Sequence, residues 1–215
     1  VRDNDHQLVE QHAGGRSMTL ASPPPGRRER NKQAKLDRIT AAASVLFAEH
    51  GVDEVTTQQI ADAADIGTGT LFLYVRSKGE LLLLVQNAHY ARALEQGTAD
   101  AETEGDVLDA VMALLRPIVA CNRVQVDNGR TYLREMVFGD LAEPQRAAAL
   151  EIVARTEAAL AALLTRHAAV PEADAATLAH VISAVMFLAM SASAEPEPEQ
   201  LLTQIHNQVR VLLAR

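Results

Sequence analysis

Tryptophan is absent from this 215-residue chain, aromatic residues make up 3% of it, and there is a single cysteine. One cysteine excludes an intramolecular disulfide framework and suits a reducing cytoplasm. Cys121 is read as a small core residue rather than a redox switch, because free cysteine packs as an apolar group. No apolar run approaches the eighteen or so residues of a transmembrane helix, and the N-terminus lacks the basic-then-apolar order of a signal peptide. The expectation is a cytoplasmic protein without a membrane segment. Catalytic signatures are missing as well. The seven histidines include no H-x-x-x-H or H-E-x-x-H, and His50, His89, His167, His180 and His206 show no metal-ligand spacing. There is no G-x-S-x-G. The pair Gly67-x-Gly69 lacks a third glycine and follows a helix rather than a strand, so it is no dinucleotide fingerprint. The sequence therefore predicts no metal, no cofactor and no enzyme.

What is abundant is alanine and leucine, in a chain that is 48% hydrophobic and long enough for one or two domains with a real core. That composition suits an all-α protein. The net charge of −8 looks wrong for a polyanion partner until it is divided along the chain. Residues 26–40 hold Arg27, Arg28, Arg30, Lys32, Lys35 and Arg38 against Glu29 and Asp37, a net of +4. Residues 81–215 hold ten Arg against seventeen acids, a net of −7. A local basic patch, rather than global charge, is the footprint of phosphate binding.

Residues 56–80, TTQQIADAADIGTGTLFLYVRSKGE, are the most informative stretch. Thr56 and Gln59 form a T-x-x-Q capping box. Ile60, Ala61 and Ala64 follow at helical spacing. Asp65-Ile66-Gly67 breaks the pattern, and Thr68 to Val75 resumes it with Leu71, Phe72 and Val75 as the apolar face. Ser77 and Glu80 form a second capping box. Two short helices joined by a tight Gly-containing turn make a helix-turn-helix, whose second helix enters the major groove of DNA. Thr68, Gly69 and Thr70 are small enough for close approach, and a Thr methyl can meet a thymine methyl. Tyr74 lies one turn beyond Thr70. Lys78 sits in the first turn of the next helix, where the dipole disfavours a cation; a phosphate partner would explain it.

The run Ala64 to Leu81, ADIGTGTLFLYVRSKGEL, resembles the signature of TetR-type transcriptional regulators, which reads about A-G-V-S-x-G-T-L-Y-x-H/Y-F-x-S-K-E-E-L. Ile60-Ala61, and upstream Phe47, Gly51 and Val55-Thr56, match the same family, so the resemblance spans about residues 34–85. It departs at Gly67 (often Ser), Phe72 (usually Tyr), Val75 (a bulkier Phe) and Gly79 (an acidic residue). The resemblance implies DNA-contact roles for Thr56, Gly69, Thr70, Tyr74 and Lys78. With Arg27, Arg28, Arg30, Lys32, Thr57, Gln58 and Thr68 these are the candidate DNA-binding residues. It further implies a homodimeric repressor, released from a palindromic double-stranded operator by a small molecule.

Three regions are expected: a disordered tail over 1–26 ending in Ser-Pro-Pro-Pro-Gly, a DNA-binding domain over 27–80, and a helical ligand-binding and dimerisation domain over 81–215. Met18 would open a shorter reading frame, leaving residues 1–17 as a genuine extension or a product of start assignment. Helices are read at about 32–50, 78–96, 106–123, 131–138, 144–167, 174–193 and from 198 to near 213. Gly97–Gly105 reads as a polar break, Asn128-Gly129 as a turn, and Pro117 as a kink. Two faces are candidates for dimerisation: Ala147, Leu150, Ala154, Ala158, Ala161 and Leu164–His167 of one helix, and Leu178, Ile182, Val185, Met186, Ala189 and Met190 of the next. Candidate ligand contacts are His89, Tyr90, Met112, Leu115, Arg116, Val119, Tyr132, Met136 and Phe138. Arg116, if buried in its apolar helix, needs an anion. The competing reading is a catalytic or carrier bundle with residues 27–80 as an interaction module.

Overall fold

The computed structural model describes residues 26–168, 170–194 and 197–214. The tail expected over 1–26 lies, except for Gly26, outside the described residues. Among them are nine helices and no strand: α1 Arg27–His50, α2 Thr57–Ala63, α3 Thr68–Leu71, α4 Lys78–Ala101, α5 Val107–Arg123, α6 Val126–Phe138, α7 Pro144–Ala168, α8 Glu172–Ala192 and α9 Pro198–Leu213.

α1 begins five residues before the position expected from sequence. Its first turns are Arg, Glu, Lys, Gln and Ala, strong helix formers, but they bury nothing and so show no apolar period. Gly51, at φ 79°, closes the helix by donating its N–H to the Phe47 carbonyl. The T-x-x-Q box is present at α2: Thr56 Oγ1 accepts from Gln59 N–H, and Gln59 Oε1 accepts from Thr56 N–H. The second box is only half formed. Ser77 Oγ accepts from Glu80 N–H at 3.0 Å, but the Glu80 carboxylate takes the Arg76 N–H at 2.6 Å.

Two glycines expected at breaks lie inside helices. α4 runs through Gly97, where a Cβ would collide with the Leu114 carbonyl oxygen of α5. α6 starts before Gly129, where a Cβ would collide with the Asn122 carbonyl oxygen. In both places glycine admits a close crossing of two backbones, a tertiary need that local propensity does not carry.

α4 is the central rod, packed on α5, α7, α6 and α1; α8 lies between α7 and α9. Leu81, Leu82, Leu114, Leu115, Leu160 and Leu164 are fully enclosed, each contributing about 1.5–3 kcal/mol by leaving water. α8 is, after all, long and apolar enough to span a membrane by length and composition. Here it is a bundle helix: Ala175, Ala179, Ile182, Met186 and Met190 are buried, and His180 pairs with Glu157 of α7 at 3.0 Å.

Candidate nucleic-acid interface and internal cavity

Residues 57–71 form the expected pair of short helices, tightly joined. The Asp65 backbone lies in the left-handed region at φ 53°, which Asp tolerates better than most residues. The TetR-type pattern has Gly at this position, so Asp65 is a further departure from it. Arg38 reaches to within 3.8 Å of the Asp65 carboxylate. α3 itself is only Thr68–Leu71, continued by a turn through Tyr74. Leu71 and Val75 point into the core, whereas Phe72 is half exposed, so the face expected to bury it is narrower.

The N-terminal turns of α1 and the α3 turn face each other across a groove of about 1060 Å³. Arg27, Arg28, Lys32 and Lys35 line one wall; Thr70, Leu73 and Tyr74 line the other, and Glu29 also borders it. The basic segment is therefore helical, not a loose arm. Arg30 lies on the same exposed stretch. Tyr74 is half-buried, not fully outward. Leu73, which sequence reasoning does not single out, is 80% exposed. An exposed leucine beside Thr70 is suited to meeting a thymine methyl; its only signal in the sequence is its place between Phe72 and Tyr74.

On the α2 side, Thr56 is exposed and Thr57 partly so. Gln58 bridges the two helices, accepting from Thr68 Oγ1 at 2.5 Å and donating to Asp62 at 2.7 Å. Gly69 is exposed, with open space around its Cα. Lys78 is placed differently from expectation. Its Nζ donates to the carbonyls of Asp53 (3.2 Å) and Val55 (3.1 Å), so it needs no phosphate to account for it. It ties the first turn of α4 to the loop before α2.

A second tie joins the two regions. The buried Asn128 of α6 accepts the Val52 N–H at 2.6 Å and donates to the Phe47 carbonyl at 2.7 Å. Its side chain satisfies both sides of the α1–α2 corner.

Between α4, α6, α7 and α8 lies a cavity of about 260 Å³, closed at the tyrosines and open to solvent between α7 and α8, where Leu150, His180 and Ala184 are exposed. Tyr90 and Tyr132 stack along it, ring centroids 4.5 Å apart. Both hydroxyls are engaged: Asn122 Nδ2 donates to Tyr90 at 2.7 Å, and Tyr132 donates to Asn87 Oδ1 at 2.9 Å. Burial pushes both phenols above their ordinary pKa, so they are neutral. Met136, Met186 and Met190 complete an adaptable wall.

Of nine sequence candidates, Tyr90, Tyr132 and Met136 line this cavity. Met112, Leu115 and Val119 are buried but do not line it. His89 is half-buried beside Gln86, and burial together with Arg92 lowers its pKa. Phe138 is 82% exposed. Arg116 is exposed and pairs with Glu199 of α9 at 2.9 Å, so the condition that it be buried, which would require an anion in the bundle, is not met. The buried arginine is Arg123. Its guanidinium donates to the carbonyls of Met190 (2.6 Å) and Ser193 (3.3 Å), capping the C-terminus of α8. Sequence reasoning misses the wall contributed by α7 and α8, because it gives their apolar residues to dimerisation. On α8 the chosen face turns inward: Ile182, Met186, Ala189 and Met190 are buried in the bundle and Leu178 and Val185 are half-buried, while Val181, Ala184 and Leu188 are exposed. On α7 the chosen face is mostly exposed at Ala147, Leu150, Ala154 and Ala158. Leu164, by contrast, is buried.

Among the described residues no three His, Cys, Asp or Glu side chains gather as a metal site. A helix-turn-helix with a basic flank, carried on a helical bundle, is the architecture of a one-chain transcriptional regulator fold. Residues 39–85, the stretch that contains the helix-turn-helix, match the family of bacterial regulatory proteins of the tetR type. A comparison with curated proteins gives no match. More than four-fifths of the chain shares its fold with solved structures of regulators. Thermus thermophilus FadR, a TetR-family transcriptional repressor in complex with lauroyl-CoA, is 24% identical at a TM-score of 0.64, over 83% of this chain and 92% of that one. A TetR transcriptional regulator from Rhodococcus sp. RHA1 is 17% identical at 0.62, over 86% and 98%. The fatty acid degradation regulator FadR of Bacillus halodurans is 16% identical at 0.52, over 81% and 97%.

Proposed function

We propose that the protein is a homodimeric, cytoplasmic repressor that holds a palindromic operator through residues 27–80 and releases it when a small molecule occupies the α4/α6/α7/α8 cavity. One observation carries this reading. Both helices that bring tyrosines to the cavity also grip the DNA-reading unit, α4 through Lys78 and α6 through Asn128. A ligand that spreads Tyr90 from Tyr132 moves two levers on one corner. In this reading Arg27, Arg28, Arg30 and Lys32 supply phosphate contacts, and Thr56, Thr57, Gln58, Thr68, Gly69, Thr70 and Tyr74 meet the DNA major groove or the phosphates beside it. Two copies pair through the outward faces of α7 and α8, which sets the half-site spacing at about 34–36 Å or a multiple.

A mobility shift on the protein's own upstream DNA separates this reading from a bundle that binds or transforms a small molecule without touching DNA. Titrating ligand with and without saturating operator then tests the coupling. Such coupling is typically about 1–3 kcal/mol and is reciprocal. Equal ligand affinity in the two titrations would sink the sensor reading.

A further inference from the structure

We propose that the cavity takes an uncharged, largely apolar molecule of about ten to twelve non-hydrogen atoms, and that it excludes acids, amines and whole acyl-thioester cofactors. This rests on the sensor reading of the cavity.

Size comes first. An apolar cavity of ~150 Å³ holds benzene, so 260 Å³ scales to roughly ten carbons. It lies below the ~300–1,000 Å³ range of pockets for drug-sized ligands. Charge comes second. The deep wall is Tyr90, Ile118, Tyr132, Met136, Met186 and Met190, none of them ionic. The one acid–base pair in the lining, Glu157 and His180, sits toward the surface with the two side chains 3.0 Å apart. Arg123 is not in the lining, and two of its nitrogens are turned to α8 carbonyls. A charge carried to the deep wall would lose its water and gain no ionic partner there. Polarity comes third. Both tyrosine hydroxyls are engaged, and Thr156 donates to its own helix at Ile152. Ser183 adds one hydroxyl to the wall. The ligand therefore carries at most one neutral polar group.

The test uses three probes of one length, n-decanol, decanoate and decylammonium, titrated calorimetrically into the full-length dimer. Decanol should bind at least tenfold more tightly than either ion, about the discrimination that 1.4 kcal/mol gives. Ala184→Phe adds a ring at the cavity's outer wall, where the residue is exposed, and should weaken decanol binding tenfold or more. Circular dichroism and sedimentation establish that the variant is folded and dimeric. If it is not, Val153→Phe narrows the cavity from α7 instead. Decanoate binding as tightly as decanol would overturn the assignment, and operator release by decanoate would then leave the sensor reading standing. Binding of no probe, or decanol binding unaffected in a folded variant, would also overturn it. Decanol binding without operator release would uphold the ligand class and remove the sensor reading.

Discussion

Asn128 is one side chain holding two backbone groups of the α1–α2 corner, and its truncation has a calculable cost. In Asn128→Ala the Val52 N–H loses its acceptor and the Phe47 carbonyl loses a donor, at a residue only 2% exposed. The carbonyl keeps the Gly51 N–H at 3.0 Å, so it is under-satisfied rather than orphaned. The amide keeps nothing. A buried, unsatisfied polar group costs about 1–3 kcal/mol. Counting the amide fully and the carbonyl at the low end gives about 2–4 kcal/mol. For a chain of this size each kcal/mol lowers Tm by about 2–4 °C, so the expected drop is about 4–16 °C. Chemical denaturation at a fixed protein concentration reads the effect without confounding it with dimer dissociation. The functional consequence differs from the thermodynamic one. Asn128 touches neither the DNA groove nor the cavity, so operator affinity in the folded variant should hold within about twofold, while ligand-driven release should weaken. Asn128→Asp separates the contributions: it keeps the acceptor for Val52, loses the donor to Phe47, and sets a carboxylate against a carbonyl. A stability change under about 0.5 kcal/mol in Asn128→Ala would refute the corner-capping role, and undiminished ligand response would show that α6 is not a lever.

Replacing Arg27, Arg28 and Lys32 together by Gln should weaken specific and random DNA alike and flatten the log–log salt slope by up to about 0.9 for each phosphate no longer neutralised; an unchanged slope would make these turns of α1 a solvated surface. Thr70→Ala should cost about 1–3 kcal/mol of operator binding. Tyr74→Phe, chosen because Tyr74 packs partly on the core, should weaken operator binding without lowering Tm; unchanged affinity in both variants would contradict the groove assignment. Asp65→Gly should be nearly neutral for stability and Asp65→Val destabilising by at least about 1–2 kcal/mol, since φ 53° penalises a β-branched residue; equal Tm values would disprove the left-handed corner. Burial, then the adjacent Glu80 and Asp140, raises the Glu143 carboxyl above its ordinary pKa against the pull of Arg76. A raised native pKa favours folding at low pH and is a penalty once pH rises through it. Glu143→Gln should therefore stabilise the protein at about pH 8 and leave it unchanged below about pH 4, and a pH-independent difference would refute the raised carboxyl.

Helix content, the capping box at Thr56–Gln59, the stop at Gly51 and the basic segment were all legible in the sequence, because each rests on residues within one or two turns of one another. Caps and apolar periods are local physics. The helix-turn-helix was legible for the same reason, and its match to a fixed-spacing pattern named the family. Where local signals mislead, a distant partner decides. Gly97 and Gly129 look like breaks and are crossing points, since their need for no side chain comes from carbonyls on α5 and its C-terminal turn. Lys78 looks like a phosphate ligand and holds two carbonyls of a loop more than twenty residues upstream. Arg116 and Arg123 are seven residues apart on one helix, yet the first faces Glu199 and solvent while the second lies under the end of α8. The two faces of α8 are both apolar enough to bury, so only packing against α7 and α9 decided which one closes the cavity and which is left outward.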